Sequence, residues 1–345
     1  FRGDMRNELE FPFDIGPVRV VPFAVSRISG WDGTPHGNGS EARYFGSYGV
    51  RGSTVFWRVF DRFRSRLLDV NGIRHIIKPD FVAWFSHTNV APEDLHPFDQ
   101  GIETIDDFSG VTAGVRQRWQ TKRGGPGHWR TVDWITFDVE IGMFNDPQDW
   151  QWIRSPVLQT IRPHLAPLTF PVLFQRFERT HGEVIHARPE DSISRNFVNG
   201  NFIWRISDTT ALLHDWNWDM VDQEMDVNNV SLAVQRDPRM SYFLGWRYIN
   251  ETDSSLAGGG LNYRVSRKHT LAVREFFDLD RGDTLEFTVS YIRKFPRWYV
   301  AVTFELDEAE DEFGISVSAW PEGLPGLAIG PRRFTGLATS TGLRP

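Results

Sequence analysis

Apolar and polar residues alternate along many stretches of this chain, which is the pattern of a half-buried β-strand. In the segment 285–291 the apolar residues occupy the odd positions, and Glu, Thr and Ser occupy the even positions between them. The segments 299–306, 134–141 and 230–235 repeat this alternation, whereas helical periodicity is hard to find. The pattern therefore predicts an all-β protein with many short strands.

We predict about 15 strands by this criterion. They lie near residues 8–14, 18–28, 42–56, 73–87, 108–121, 130–144, 195–206, 209–217, 226–236, 239–249, 256–266, 269–278, 283–293, 296–306 and 312–320. Alternating segments of about ten residues are typical of transmembrane β-strands. The expected fold of residues 1–345 is thus a transmembrane antiparallel up-and-down β-barrel. The segment 145–194, rich in proline, arginine and aromatic residues, is expected to be one long extracellular loop.

Charge is sorted between alternate connections of this predicted barrel. One set of connections is acidic, with Arg281 as its one positively charged residue. These connections lie near 29–41, 89–107, 218–226, 250–255, 278–283 and 307–312. The other connections carry mostly arginine and lysine, for example near 62–66, 122–130, 236–239, 267–268 and 293–297. Because outer-membrane barrels have their longer loops outside the cell, we expect the acidic end to be extracellular and the C-terminus to be periplasmic.

The composition agrees with a membrane barrel and restricts the chemistry. The chain has 14 Trp and 27 Phe although its mean hydropathy is only -0.38. It has no Cys, which excludes disulfides and thiolate chemistry. No apolar stretch approaches the roughly 20 residues that a membrane-spanning helix needs. The net charge of -7 argues against a nucleic-acid partner.

Candidate chemical groups all have simpler structural interpretations. Asp138 and Glu140 share one face of a predicted strand, where they would point into a wet lumen rather than act as a catalytic pair. The Asp-rich segment 278–283 is expected to be a hairpin turn rather than a calcium loop. His181 and His186 lack the spacing of a helical metal motif. We therefore predict no enzyme activity, no catalytic residue, no metal and no cofactor. Several tryptophans near predicted strand ends suggest interfacial aromatic girdles, namely Trp57, Trp84, Trp129, Trp246, Trp298 and Trp320.

Four segments, in order, resemble the C-terminal barrel of the lipopolysaccharide-assembly protein LptD, also called the organic solvent tolerance protein OstA. The segment 72–79 resembles that family's Arg-His motif followed by proline, and 96–99 resembles its Pro-x-Phe-Asp-like segment. The segment 115–123, with 132–134 after it, resembles a strand ending in Leu-Gln-Thr-Lys-Arg and the opening of the next strand. The segment 320–323 resembles the terminal strand and its exit.

This resemblance implies an outer-membrane barrel that inserts lipopolysaccharide into the outer leaflet through a lateral seam. It further implies an LptE-like lipoprotein plug, an LptA-like periplasmic bridge and contact with outer-membrane lipid. The final strand, near Phe313, Ile315 and Val317, would form one side of the seam. About 15 strands are fewer than the family's barrel has, so we expect that an N-terminal jellyroll and the first strands are absent from this chain.

Two other functions remain open from the sequence. A general porin-like or scaffold barrel of the outer membrane would have the same alternating strands. A soluble β-rich carbohydrate-binding protein would also use many aromatic residues and carboxylates.

Overall fold

A computed structural model describes residues 1–33, 39–95, 105–125, 127–145, 196–237, 239–250, 253–307, 312–324 and 329. These residues form β-strands and one short 3-10 helix, Pro92–Asp94. In chain order the strands are β1 Arg2–Glu10, β2 Phe13–Ile15, β3 Val18–Trp31, β4 Glu41–Ser53, β5 Phe56–Ser65, β6 Val70–Thr88, β7 Gly110–Arg123, β8 Arg130–Phe144, β9 Phe197–Arg205, β10 Thr210–Asp219, β11 Glu224–Asp237, β12 Met240–Ile249, β13 Ser254–Arg264, β14 His269–Asp278, β15 Asp283–Phe295, β16 Trp298–Asp307 and β17 Glu312–Pro321.

All strands belong to one antiparallel sheet in which neighbours in the chain are neighbours in space. Two pairs of strands are collinear. β1 and β2 pair with β3 in one register, and β4 and β5 pair with β6 in one register as far as Phe60, after which the register shifts. Counting each pair once leaves fifteen successive strands, and each overlaps one strand predicted from the sequence. The prediction of an all-β, antiparallel, up-and-down fold is confirmed.

A proline marks the break between β4 and β5. Ser53 pairs with Asp80 and Phe56 pairs with Ile77, so Thr54 lies opposite Pro79. The amide of Thr54 donates to the carbonyl of Pro79 at 3.2 Å. Pro79 has no amide proton to return, so regular strand structure stops here although the register continues.

The up-and-down topology places alternate connections at the same end of the sheet. One end therefore holds the acidic connections, and we call it the acidic end. Its described carboxylates include Asp32, Asp94, Asp106, Asp107, Asp219, Asp222, Glu224, Asp253, Asp278, Asp280 and Asp283. The opposite end, which we call the basic end, holds Arg62, Arg64, Arg66, Lys122, Arg123, Arg130, Arg236, Arg239, Arg267, Lys268, Arg293, Lys294 and Arg297. The predicted sorting of charge agrees with the observed topology.

The sheet is open within the described residues. There, β1 pairs only with β3, and β17 has β16 as its one neighbouring strand. The predicted loop 145–194 lies almost wholly outside the described residues. None of the described helices is long and apolar enough to cross a membrane.

Candidate functional site

The two faces of the sheet differ sharply in chemistry. We call the face that carries Asp138 and Glu140 the inner face, and the opposite face the outer face. On β3, Phe23, Val25 and Arg27 are buried on the inner face, while the residues between them are exposed. The register carries this alternation across the sheet, because directly paired residues share a face.

Charged side chains cover the inner face of β1, and they pair with arginines of β3 and β4. Arg27 donates two hydrogen bonds to the carboxylate of Asp4, at 2.9 and 3.1 Å. Arg51 lies 2.8 Å from Glu8 and also contacts Glu10. Arg27 and Arg51 are largely buried. Such pairs satisfy charges that burial would otherwise make costly.

A row of directly paired polar residues continues along the inner face from β6 to β12. Amides alternate with carboxylates at its centre, where Asn201 donates to Asp215. The side-chain oxygen of Asn229, the next member, is buried without a donor among the described residues. The row consists of Lys78, Arg116, Asp138, Asn201, Asp215, Asn229 and Arg247.

Asp138 and Glu140 lie two positions apart on β8, and the structure gives them different surroundings. Asp138 accepts two hydrogen bonds from Arg118, at 3.0 and 3.2 Å. Glu140 is buried and pairs directly with Asn199 and Gly114. Val139, between them, faces the opposite way. Both predicted residues therefore lie on the polar inner face, and their contact with a ligand stays a prediction.

The inner face of β14 to β16 carries a separate cluster of polar side chains. Arg274 contacts Glu286, which accepts from Thr288 at 2.9 Å. The hydroxyls of Ser290 and Thr303 lie 2.8 Å apart on adjacent strands. Polar side chains thus extend along the inner face from β1 to β16.

An aromatic cluster interrupts this polar face near the acidic end. Ile105 and Phe108, from the connection before β7, pack against Phe45 and Trp84. The hydroxyl of Ser86 donates to the carbonyl of Phe108, which fixes this connection against the inner face. The prediction that Trp84 belongs to an interfacial girdle is wrong, because Trp84 is only 2% exposed and packs inside. Its burial depends on the connection before β7, which alternation within strands does not predict.

The outer face is mostly apolar and exposed, with the hydrogen-bonded pairs His75–Gln117 and His214–Asn228 as polar exceptions. Tyr48 stacks on Phe85 with ring centroids 5.6 Å apart, and both rings are more than half exposed. Leu244, Val302 and Phe304 are likewise exposed on the outer face. A soluble sheet would cover such a face with a second layer. An exposed apolar face opposite a charged face is the arrangement of a lipid-facing barrel wall.

Phe313, Ile315 and Val317 lie on the outer face of β17, the last strand of the sheet. They are 73%, 70% and 59% exposed. Ala319, two residues further, exchanges two backbone hydrogen bonds with Ile329, at 2.8 and 3.0 Å. That contact involves the edge of β17 that faces away from β16. The assignment of Phe313, Ile315 and Val317 to a seam remains a prediction.

The segments that resemble the LptD family lie on neighbouring strands. His75 on β6 stacks on Trp119 of β7, with ring centroids 4.4 Å apart, and bonds to Gln117 at 3.1 Å. Arg123, the last residue of β7, is fully buried. It donates to the carbonyls of Arg205 and Ile206, at 2.8 and 3.1 Å. The segment 96–99 and the residues His181 and His186 lie outside the described residues.

Nothing in the described part of the chain forms a metal centre, since no three His, Asp or Glu residues there are grouped suitably. The Asp-rich segment 278–283 forms a hairpin turn. The carboxylate of Asp278 accepts from the amides of Asp280 and Arg281, at 2.9 and 3.1 Å. This agrees with the turn that the sequence predicts.

Comparison with known proteins does not assign this chain to a family. No protein-family model matches the chain, and no curated protein matches it. Among solved structures, one engineered variant of the Rh. blastica porin has 9% identity over 94% of this chain and 93% of its own, with a TM-score of 0.37. A second variant has 11% identity over 92% and 97%, with a TM-score of 0.35. The FpvAI–pyocin S2 complex has 9% identity over 92% of this chain and 48% of that chain, with a TM-score of 0.31.

Proposed function

We propose that this chain forms the wall of a β-barrel in a Gram-negative-type outer membrane. The observation that carries the proposal is the division between an apolar exposed outer face and a charged, ion-paired inner face. In lipid, a spanning sheet needs an apolar face toward the acyl chains. An inner face with Arg27, Asp138 and Glu140 needs water or polar ligands.

Within that barrel, we propose transport of lipopolysaccharide as the specific function. The resemblance to LptD supports this, together with the polar row from β6 to β12. Buried side-chain oxygens of Asn199, Asn217 and Asn229 have no donor within the described residues. Donors from water or from sugar hydroxyls would satisfy these acceptors. The acyl chains would leave the barrel beside β17, into surrounding lipid, without any bond being made or broken.

Site-specific photocrosslinking tests this proposal. A photoreactive amino acid is placed at Asp138 or Glu140, and at Val139 as the matched control on the opposite face of β8. Lipopolysaccharide should crosslink at positions 138 and 140 and not at 139. Phe313 and Ile315 provide the seam positions, with Ser316 as their inward-facing control. Crosslinking to phospholipid alone at 313 and 315, and to nothing at 138 and 140, would contradict lipopolysaccharide transport.

A porin-like barrel is the second candidate, and the dense charge of the inner face favours it. The pairs formed by Arg27 with Asp4 and by Arg118 with Asp138 would line a water-filled passage well. Steady conductance of the reconstituted chain in a planar bilayer, with no lipopolysaccharide crosslink, would favour this function. A chain that stays folded and monomeric in buffer without detergent would exclude both barrel functions.

A further inference from the structure

At the basic end β5 extends past the β2–β3 turn, whereas the start of β6 stays paired with β7 as far as Ile73 and Thr121. β3 begins at Val18, and Thr54 donates to the carbonyl of Pro17 at 2.8 Å, so the β2–β3 turn is level with Thr54. The ten residues of β5 continue beyond that turn. In the described part of the chain, β6 is the only strand that pairs with β5.

Both faces of β5 are exposed, and both carry aromatic residues. Phe56 and Phe60 lie on the outer face and Trp57 on the opposite face, all more than 40% exposed. Phe63 is also exposed, and Leu67 at the turn is 92% exposed. A strand that faced water on both sides would not be expected to carry this many aromatic side chains.

Arginines are interleaved with these aromatic residues. Arg58, Arg62, Arg64 and Arg66 are exposed and form no ion pair with the described residues. The guanidinium of Arg58 lies 5.2 Å from the centroid of the Phe60 ring, and that of Arg74 lies 5.6 Å from Trp57. The hairpin therefore combines exposed apolar rings with exposed positive charge.

We propose that the hairpin 56–77 anchors the barrel in the headgroup layer at the basic end and binds anionic phospholipid there. Phe56 and Phe60 continue the outer face toward lipid, and aromatic side chains are favoured at the membrane interface. The arginines reach the phosphates, which they recognise through fixed pairs of donors. The unpaired backbone edge of β5 stays hydrated in this layer. The proposal needs the sheet to lie in a membrane but does not depend on lipopolysaccharide transport.

The absence of Cys from the sequence allows a single reporter to be introduced. We would label Leu67→Cys with a fluorophore and reconstitute the full chain in phosphatidylcholine vesicles. Trace quencher lipid is added with either a phosphatidylglycerol or a phosphatidylcholine headgroup. The anionic quencher should be more effective at position 67 by roughly fivefold, from the attraction of arginines near the surface. Leu279→Cys, in an acidic turn at the opposite end, is the control and should show no such preference.

Charge-neutral variants then test the arginines. In the Leu67→Cys background, R62Q/R64Q should clearly reduce the preference for the anionic quencher, and adding R58Q/R66Q should abolish it. R267Q/K268Q removes two charges from another turn at the basic end and should leave the preference intact. Equal quenching by both lipids in the parent protein would overturn the proposal.

A third reporter separates failure of this proposal from failure of membrane embedding. Phe85→Cys lies on the outer face of β6. Quenching at position 85 without quenching at 67 would mean that the hairpin is away from lipid, for example paired with a strand of another protein, and would overturn the anchor alone. No quenching at either position would overturn the anchor and the proposed membrane location together.

Discussion

The guanidinium of Arg118 binds both oxygens of the Asp138 carboxylate, at 3.0 and 3.2 Å, across the β7–β8 pair. Asp138 pairs directly with Arg116 in the backbone register, so Arg118 reaches it diagonally. This pair lies in the middle of the inner face. The ion pairs of β1 to β4 lie on one side of it, and Asn201, Asp215 and Asn229 on β9 to β11 lie on the other. The carboxylate of Asp138 thereby neutralises the positive charge of Arg118.

We predict that D138N shifts ion preference without unfolding the protein. The substitution leaves the Arg118 charge uncompensated on the inner face, so anions should become more favoured. The measurement is the reversal potential across a planar bilayer under a salt gradient. V139N changes the neighbouring outward-facing residue and should leave the potential unchanged. An unchanged potential for D138N would show that Asp138 does not line a conducting path.

The two faces should respond differently to an added charge. Leu244 lies on the outer face of β12, and L244R should destabilise the folded protein in lipid by about 2–4 kcal/mol if it lies near the bilayer centre. S241R, on the inner face of the same strand, should cost much less. Urea titration of the folded form in lipid vesicles measures both. Similar losses for the two variants would argue against lipid on the outer face.

Arg123 should be essential for stability, because it joins two turns at the basic end. Its guanidinium is fully buried and donates to backbone carbonyls of Arg205 and Ile206, and it also contacts Asp208 at 3.3 Å. R123A should lower the free energy of unfolding by about 3–5 kcal/mol, as expected when one partner of a buried charged network is removed. R123K keeps the charge and should lose less. A folded barrel that is not boiled runs as a compact band on a denaturing gel. The temperature at which this band is lost compares the stabilities of R123A, R123K and the parent protein.

Two glycines of β4 form a matched pair for testing close packing. A Cβ at Gly49 would lie 2.3 Å from the carbonyl oxygen of Ala83, whereas a Cβ at Gly46 would have no atom within 4 Å. G49A should therefore cost roughly 1–3 kcal/mol through displaced backbone. G46A should be nearly neutral. Thermal unfolding of the two variants in the same detergent compares them directly, and equal stability would contradict the observed approach of β4 to β6.

Alternation predicted most strands because each strand has one apolar and one polar face. The segments 130–144 and 269–278 were predicted with the bounds that the structure shows. Residues 2–7 were missed, since β1 has few apolar residues and its inner positions are all charged. Residues 57–65 were missed because β5 carries aromatic residues on both faces, which breaks the period of two.

The inner-face site was only partly predictable for a different reason. Asp138 and Glu140 share a face by their spacing alone, so their orientation follows from the sequence. The partners of these residues come from other strands, and only the register determines that Arg118 reaches Asp138. The cover that Ile105 and Phe108 provide over Trp84 depends on the path of a long connection, which has no local signature in the sequence.

The two edge strands of the described sheet, β1 and β17, would impose an order of events on insertion into a membrane. Backbone amides and carbonyls along β1 and β17 that lack a partner can remain in water, but in the acyl layer each would cost several kcal/mol. Among the described residues, the exchange between Ala319 and Ile329 is the one backbone pairing on that edge of β17. In the proposed barrel, entry into the bilayer and pairing of these edges would therefore have to happen together, so the rate of insertion should depend on which strand or surface meets β17 first.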